Sequence, residues 1–173
     1  MSGKGKNNIV LIGMPASGKS TVGVILAKVL GMDFIDSDIV IQQREGARLN
    51  ELIEKYGVDD FMRREEAAIL GIDVSNTVIA TGGSAVYSEA AMAHLAKESR
   101  IVYLKVELDD LKKRLSDIKG RGVVLREGET LETIYEIRSR LYEKYADITV
   151  GEDGASIEDT VHGIVRHRMD SLL

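Results

Sequence analysis

The sequence contains no cysteine, a single proline and no apolar stretch long enough to span a bilayer. Without cysteine, the chain can form neither disulfides nor thiolate-ligated metal sites. Its two phenylalanines and six tyrosines follow no base-stacking pattern, and the net charge of −5 argues mildly against a nucleic-acid partner. The polar N-terminal residues also lack the pattern of a signal peptide. We therefore expect a cytoplasmic protein that binds neither nucleic acid nor membrane.

Short runs rich in valine and isoleucine alternate with longer amphipathic segments along the 173 residues. Five runs predict buried parallel strands, at residues 8–12, 33–35, 77–80, 101–104 and 147–150. Eight amphipathic segments predict helices, at residues 19–30, 38–44, 49–56, 59–74, 88–96, 108–115, 131–145 and 157–172. The alternation predicts right-handed βαβ crossovers, and therefore a single α/β domain over 1–173 with three layers, which we expect to be a monomer.

Two intervals interrupt this simple alternation. Residues 38–74 hold about three predicted helices between the second and third strands, which favours a substrate-binding insertion. Residues 117–128 are rich in glycine and charge and show no clear period. This composition favours a lid, because a segment that closes over phosphates needs cations. An ordinary solvated loop is the alternative for the second interval.

A phosphate-binding loop follows the first predicted strand. Residues 13–20 match G-x-x-x-x-G-K-[S/T] completely and stand between a strand and a helix, where successive backbone N–H groups and the helix N-terminus can hold phosphates. Lys19 is expected to reach the β- and γ-phosphates of ATP, and the Ser20 hydroxyl to ligate Mg²⁺. The nucleotide-binding candidates are Gly13, Ala16, Ser17, Gly18, Lys19, Ser20 and Thr21.

An acidic pair, Asp36 and Asp38, follows the second predicted strand. The carboxyl ends of parallel strands form the ligand-binding edge of such a sheet. Asp36 is therefore a candidate for holding Mg²⁺ through water, and Asp38 for accepting a proton from a substrate hydroxyl. The alternative is that Asp36 or Ser37 simply caps the next helix.

A glycine turn, Thr81-Gly82-Gly83-Ser84, follows the third predicted strand and should lie at the same edge of the sheet. Two adjacent glycines there permit a ligand to approach the backbone closely. A plain tight turn into the next helix is the alternative, and the motif is weak by itself.

In order and spacing, these segments resemble the shikimate kinases. The resemblance is carried by residues 13–20, 34–38 and 79–83, by the lone Arg121 and by residues 138–142. It implies a nucleoside-monophosphate-kinase-like fold with a five-stranded parallel sheet. It also implies an enzyme that uses ATP and Mg²⁺ to phosphorylate a ring hydroxyl of shikimate.

The resemblance further implies a role for each matching position. On the donor side, Lys19 and Ser20 bind phosphate and Mg²⁺, Asp36 supports the metal, Arg114 lies near adenine, and Arg121 closes from the lid onto the phosphates. On the acceptor side, Asp38 takes the substrate hydroxyl and Arg138 grips the acceptor's carboxylate. The remaining expected acceptor-site positions are Met62, Gly82, Gly83 and Ser84. We expect Lys19, Asp38 and Arg121 to be the catalytic residues.

The departures from the family pattern concern the acceptor side and the lid. Met62 stands where these kinases carry a second carboxylate-gripping arginine, Ser84 replaces a third glycine, and Arg140 and Gly122 replace prolines. A methionine cannot pair with a carboxylate. Arg63, Arg64 or Arg140 could compensate, or the acceptor is a different small hydroxylated molecule. The alternatives are therefore a gluconate-type or nucleoside monophosphate kinase, or a nucleotide-binding regulator without turnover.

Overall fold

The computed structural model describes residues 6–116, 123–151 and 156–170. The five strands within these ranges are β1 Asn8–Ile12, β2 Asp33–Asp36, β3 Thr77–Ala80, β4 Ser99–Lys105 and β5 Ile148–Gly151. The α-helices are α1 Lys19–Leu30, α2 Ser37–Glu45, α3 Leu49–Tyr56, α4 Val58–Leu70, α5 Glu89–Ala96, α6 Leu108–Ser116, α7 Leu131–Tyr145 and α8 Ile157–Asp170. A 3₁₀ turn, Ala85–Tyr87, precedes α5.

The strands form one parallel sheet in the order β2-β3-β1-β4-β5. Both faces of the sheet are covered, as the alternation along β1 shows. Val10 and Ile12 belong to the apolar cluster that includes residues of α5 and α7, whereas Ile9 and Leu11 belong to the cluster that includes residues of α1 and α8. Successive side chains of a strand point to opposite faces, so this central strand is buried on both sides. The predicted three-layer α/β fold with a five-stranded parallel sheet is confirmed.

Three helices, α2, α3 and α4, fill the interval between β2 and β3, as the sequence predicts. They enclose a small apolar cluster of their own, built around Ile41, Leu52 and Phe61. Val124, which follows the gap after residue 116, completes that cluster. The expected lid therefore rests, through its C-terminal part, on the helical insertion; its residues 117–122 lie outside the described residues.

The helix expected over 59–74 ends earlier than its periodicity suggests. Its last turn tightens after Leu70, since the N–H groups of Gly71 and Ile72 donate to carbonyls only three residues back. The side chain of Ile72 is then buried in the main core beneath the sheet. Burial of this isoleucine, rather than continuation of the helix, directs the chain toward β3. In the described ranges, no helix is long and apolar enough to cross a membrane.

Candidate active site

The phosphate loop wraps tightly between β1 and α1. Gly13 has a φ of 153°, and a Cβ at this position would lie 2.7 Å from the carbonyl oxygen of Leu104. Ala16 and Gly18 also have positive φ angles, and the Ser17 side chain is fully buried beneath the loop. The close backbone packing explains why a glycine must begin the loop. The backbone is thereby held in the concave form that suits phosphate groups.

Lys19 is the first residue of α1 and is only 8% exposed. Its ammonium group donates to the carbonyl oxygens of Gly13 (2.8 Å) and Met14 (2.7 Å), and lies 3.3 Å from the Ser17 hydroxyl. The charge is therefore held directly over the loop and beside the helix N-terminus, where an anion is also stabilised by the helix dipole.

The Asp36 carboxylate caps α2 and also contacts Ser20. One oxygen accepts the Asp38 N–H at 2.9 Å and caps α2, while the other accepts the Ser20 hydroxyl at 2.5 Å. The cap therefore does not exclude a metal-supporting role. Ser20 and Asp36 present adjacent oxygen ligands, and Mg²⁺ in nucleotide sites takes its other ligands from water and phosphates. These residues fit the ion.

Asp38, the second residue of α2, lines the same cavity at the carboxyl edge of the sheet. Burial and, to a smaller extent, the neighbouring Asp36 carboxylate raise its pKa to about 6, against the opposing charge of the Lys19 ammonium. Such a carboxyl is ionised at neutral pH but retains enough basicity to accept a proton. A Cβ at Gly82 would lie 2.8 Å from its Oδ1 atom, so the absence of a side chain at Gly82 leaves room for it.

Glu65, in α4, is a cavity-lining residue that the sequence reasoning missed. It is 2% exposed; Ser84 donates a 2.6 Å hydrogen bond to its Oε2, whereas its buried Oε1 has no partner among the described residues. Burial raises the pKa of Glu65 to about 7; the Asp38 charge acts in the same direction, and the hydrogen bond from Ser84 and the charge of Arg138 oppose it. Ser84 is therefore the hydrogen-bond donor to this carboxyl.

Arg138 enters the cavity from α7 and is 1% exposed. Its guanidinium donates to the Tyr87 hydroxyl (3.2 Å) and the Val124 carbonyl (2.7 Å), and it lies over the Tyr87 ring at 5.2 Å. A Cβ at Gly83 would be only 3.2 Å from its third nitrogen. Tyr142, one turn further along α7, donates to the Gly83 carbonyl at 2.6 Å. The helix thus fixes both the arginine and the glycine turn.

Most of the predicted residues line one cavity of about 520 Å³. It is lined, among others, by Ala16, Gly18, Lys19, Ser20, Thr21, Asp36, Asp38, Gly82, Gly83, Ser84 and Arg138. Gly13 and Ser17, although part of the loop, do not line the cavity, and neither does Arg114, which donates to the Ala16 carbonyl at 3.2 Å. Arg121 lies outside the described residues. The donor and acceptor candidates therefore meet in a single space.

Met62 does not line this cavity. Its side chain packs against the apolar cluster of the insertion and borders a smaller neighbouring cavity of about 120 Å³. That smaller cavity is also bordered by Glu65 and Ser84. The methionine thus leaves the acceptor site without a group at the position where the family carries an arginine.

The three arginines considered as replacements are engaged elsewhere. Arg63 and Arg64 both pair with Asp60, at 3.2 and 2.7 Å, and the Arg63 side chain is 74% exposed. Arg140 pairs with Glu136 on its own helix and is 77% exposed. None of the three lines the main cavity. In this structure, the three arginines that the sequence left open as replacements for the missing one therefore lie away from the main cavity.

Comparisons with known proteins agree with this geometry. The family model described as shikimate kinase matches residues 15–168. The shikimate kinase of Actinobacillus pleuropneumoniae serotype 5b is 39% identical over 154 residues, covering 87% of this chain and 89% of the relative. That of Vibrio cholerae is 38% identical over 164 residues, covering 93% and 94%.

Among solved structures, the Acinetobacter baumannii shikimate kinase in complex with shikimate superposes with a TM-score of 0.88. It is 28% identical to this chain, and the match covers 98% of this chain and 97% of the other. Fold and sequence point the same way. This chain belongs to the shikimate kinase family and is an ATP-dependent kinase.

Proposed function

We propose that this chain uses ATP and Mg²⁺ to phosphorylate a ring hydroxyl of shikimate. The observation that carries the proposal is that the phosphate loop, the Asp38 carboxyl and the Arg138 guanidinium line the same cavity. A donor phosphate and an acceptor hydroxyl can therefore be held side by side, which is the main contribution of enzymes to phosphoryl transfer. Support also comes from the A. baumannii relative, which was solved with shikimate.

The donor half consists of the phosphate loop and its flanking residues. We assign the loop N–H groups and Lys19 to the phosphates, and Ser20 and Asp36 to Mg²⁺, which when bound neutralises charge on the phosphates. The Lys19 ammonium stabilises the negative charge that develops during transfer. Arg114 would lie near the adenine, and Arg121 would close onto the phosphates from the lid.

The acceptor half is organised around Asp38 and Arg138. Asp38 accepts the proton of the attacking hydroxyl as its oxygen bonds to the γ-phosphorus, while the bond between that phosphorus and the β,γ-bridging oxygen breaks and ADP leaves. The buried Arg138 binds the acceptor's carboxylate, and Gly82, Gly83 and Ser84 form the wall against which the ring lies. Because Arg138 is already hydrogen-bonded on two nitrogens, it is held in place before the acceptor arrives.

An acceptor screen with coupled detection of ADP release tests the proposal. We expect Mg²⁺-dependent turnover with shikimate that exceeds turnover with gluconate or with nucleoside monophosphates. Strong activity with one of those other acceptors and none with shikimate would contradict the proposed substrate. Tight ATP binding without turnover on any acceptor would support a nucleotide-binding regulator instead.

A different small hydroxylated acceptor is a second candidate, favoured by one observation. Because Met62 stands where the family carries an arginine, the acceptor side has one cation fewer. Ser84 donates a hydrogen bond to one oxygen of Glu65. An acceptor with less negative charge than shikimate would suit this change. The same screen separates the two candidates.

A further inference from the structure

The walls of the cavity carry more acidic than basic groups once Arg48 is set aside. Asp36, Asp38 and Glu65 face it, against the cations Lys19 and Arg138. Lys19 is held over the phosphate loop, and two nitrogens of Arg138 are committed to Tyr87 and Val124. Both bonds of Arg138 go to neutral groups, so its charge remains, but it is one cation against the two carboxyls Asp38 and Glu65.

Arg48 is the remaining cation among the described residues of the cavity wall. It immediately precedes α3, and its backbone N–H donates to the Glu51 carboxylate at 2.8 Å. This bond fixes the start of the helix, while the guanidinium forms no hydrogen bond or ion pair with any described residue. Leu49 and Asn50 line the cavity beside it, so Arg48 belongs to the part of the insertion that borders the cavity.

The other arginines of the insertion differ from Arg48 in this respect. Arg44 lies 4.0 Å from Glu45, and Arg63 and Arg64 pair with Asp60. These three arginines of the insertion each lie near an acid, whereas Arg48 forms no ion pair with any described residue. A planar guanidinium matches a carboxylate in two-point geometry, and an unpaired one at a cavity wall is available for that of a ligand.

We propose that Arg48 binds the carboxylate of the acceptor together with Arg138, and so replaces the arginine that is absent at Met62. The inference rests on the proposed function, since it concerns how shikimate is held. The second carboxylate ligand has moved from α4 to the start of α3, and the acceptor is gripped by cations from two separate elements, α3 and α7.

The test compares shikimate with its methyl ester, which has the same ring but no carboxylate charge. For Arg48→Ala we expect the KM for shikimate to rise about tenfold, as for loss of one charged hydrogen-bonded contact at a partly exposed site. The KM for ATP should stay within about twofold of the wild-type value. The same holds for the half-saturating concentration of the ester, measured as substrate or as competitive inhibitor. The KM of Arg48→Lys for shikimate should fall between those of the wild type and Arg48→Ala, because a lysine keeps the charge but not the two-point geometry.

Arg48→Ser and Arg63→Ala are the controls. Serine is a preferred helix-capping residue, so Arg48→Ser should keep or raise the melting temperature while losing shikimate affinity like Arg48→Ala. Arg63→Ala removes an exposed arginine paired outside the cavity and should leave every KM unchanged. An unchanged KM for shikimate in the Arg48 variants overturns this inference alone. An equal rise in the half-saturating concentration of the ester does the same. A wild-type protein that does not phosphorylate shikimate overturns the proposed function and this inference with it.

Discussion

Two carboxyl groups lie beside the Cα of Gly82, and their surroundings assign them different roles. A Cβ there would lie 2.6 Å from Glu65 Oε1 and 2.8 Å from Asp38 Oδ1. Asp38 lines the cavity next to the phosphate loop, whereas Glu65 is almost completely buried and is hydrogen-bonded by Ser84. Asp38 is therefore placed to act on a substrate, and Glu65 to shape the wall behind it.

Replacing Asp38 by asparagine should remove the proton acceptor but keep the shape of the site. We expect kcat to fall about 10²–10⁴-fold, the range typical of general-base groups. ATP affinity should remain nearly unchanged, because the phosphate loop is not altered. Steady-state kinetics and calorimetric titration with ATP measure the two effects. Normal turnover by Asp38→Asn would show that another group, or none, accepts the proton.

Glu65 should make the folded protein less stable as the pH rises. Burial raises its pKa from the ordinary 4.5 to about 7, so the folded state favours the protonated form. The corresponding stability is fully present below about pH 4.5 and is lost as the pH rises through about 7. Glu65→Gln stays neutral and should therefore gain on the order of 1–3 kcal/mol relative to the wild type at pH 8, but little at pH 4.5.

Urea unfolding at both pH values checks this effect, with Glu54→Gln on the exposed side of α3 as the control. An equal change in the free energy of unfolding of Glu65→Gln at both pH values would mean that the substitution acts through packing and not through charge.

The sequence contains a signal for Glu65 that the motif search did not use. Phe61, Glu65, Ala68 and Ile69 share the buried face of α4, with the spacing of one helical stripe. A glutamate in that register has to be buried, and a buried carboxylate is a candidate for a functional site. Arg48 gave no such signal, because only the folded chain shows that it borders the cavity and that its guanidinium has no partner among the described residues.

At the scale of elements, the turn after β3 joins the two halves of the site. Gly82 borders both carboxyls, and a Cβ at Gly83 would meet the Pro15 ring of the phosphate loop at 2.8 Å. The turn therefore keeps the donor loop and the acceptor wall at a fixed separation. Its neighbour Ser84, predicted as an acceptor-site residue, contacts Glu65 and precedes a 3₁₀ turn that the sequence pattern did not indicate.

Gly82→Ala should damage catalysis more than folding. The added methyl group overlaps the Asp38 and Glu65 oxygens, and both side chains must move. A displacement of this size at a reacting group costs up to about a hundredfold in rate, so we expect kcat to fall about ten- to a hundredfold. Gly163→Ala in α8 is the matched control, since its methyl would meet only Val150 at an ordinary 3.5 Å.

The control variant should keep full activity, because Gly163 lies in a helix away from the cavity lining, and its stability should rise by up to about 1 kcal/mol. Kinetics with melting curves for both variants check the comparison. If Gly82→Ala retained wild-type kcat, Asp38 would not need its present position.

Several elements could be predicted from the sequence and others could not, for physical reasons. The strand Asn8–Ile12 and the helix Lys19–Leu30 match their predicted bounds, because an apolar run, a glycine loop and a helical stripe agree there. The predicted end of α4 was wrong by four residues, because burial of Ile72 overrides a periodic pattern. Tertiary packing of this kind cannot be read from local periodicity.

At the scale of the whole molecule, the parallel sheet brings separate parts of the sequence to one edge. The phosphate loop follows β1, Asp36 ends β2 with Asp38 just beyond it, and the glycine turn follows β3. In the order β2-β3-β1-β4-β5 these three strands are neighbours, so their carboxyl ends converge. The donor half was therefore predictable from the sequence, whereas the acceptor half depends on how the helical insertion folds over that edge.

Direct identification of the product tests the central claim, that the two halves form one phosphotransfer site. The intact chain is incubated with ATP, Mg²⁺ and shikimate, and ADP and phosphorylated shikimate are quantified together by chromatography and mass spectrometry. We expect equimolar ADP and a singly phosphorylated shikimate, with both lost on removal of Mg²⁺ or in Asp38→Asn. ADP without phosphorylated shikimate, or phosphate transferred only to another acceptor, would contradict the account.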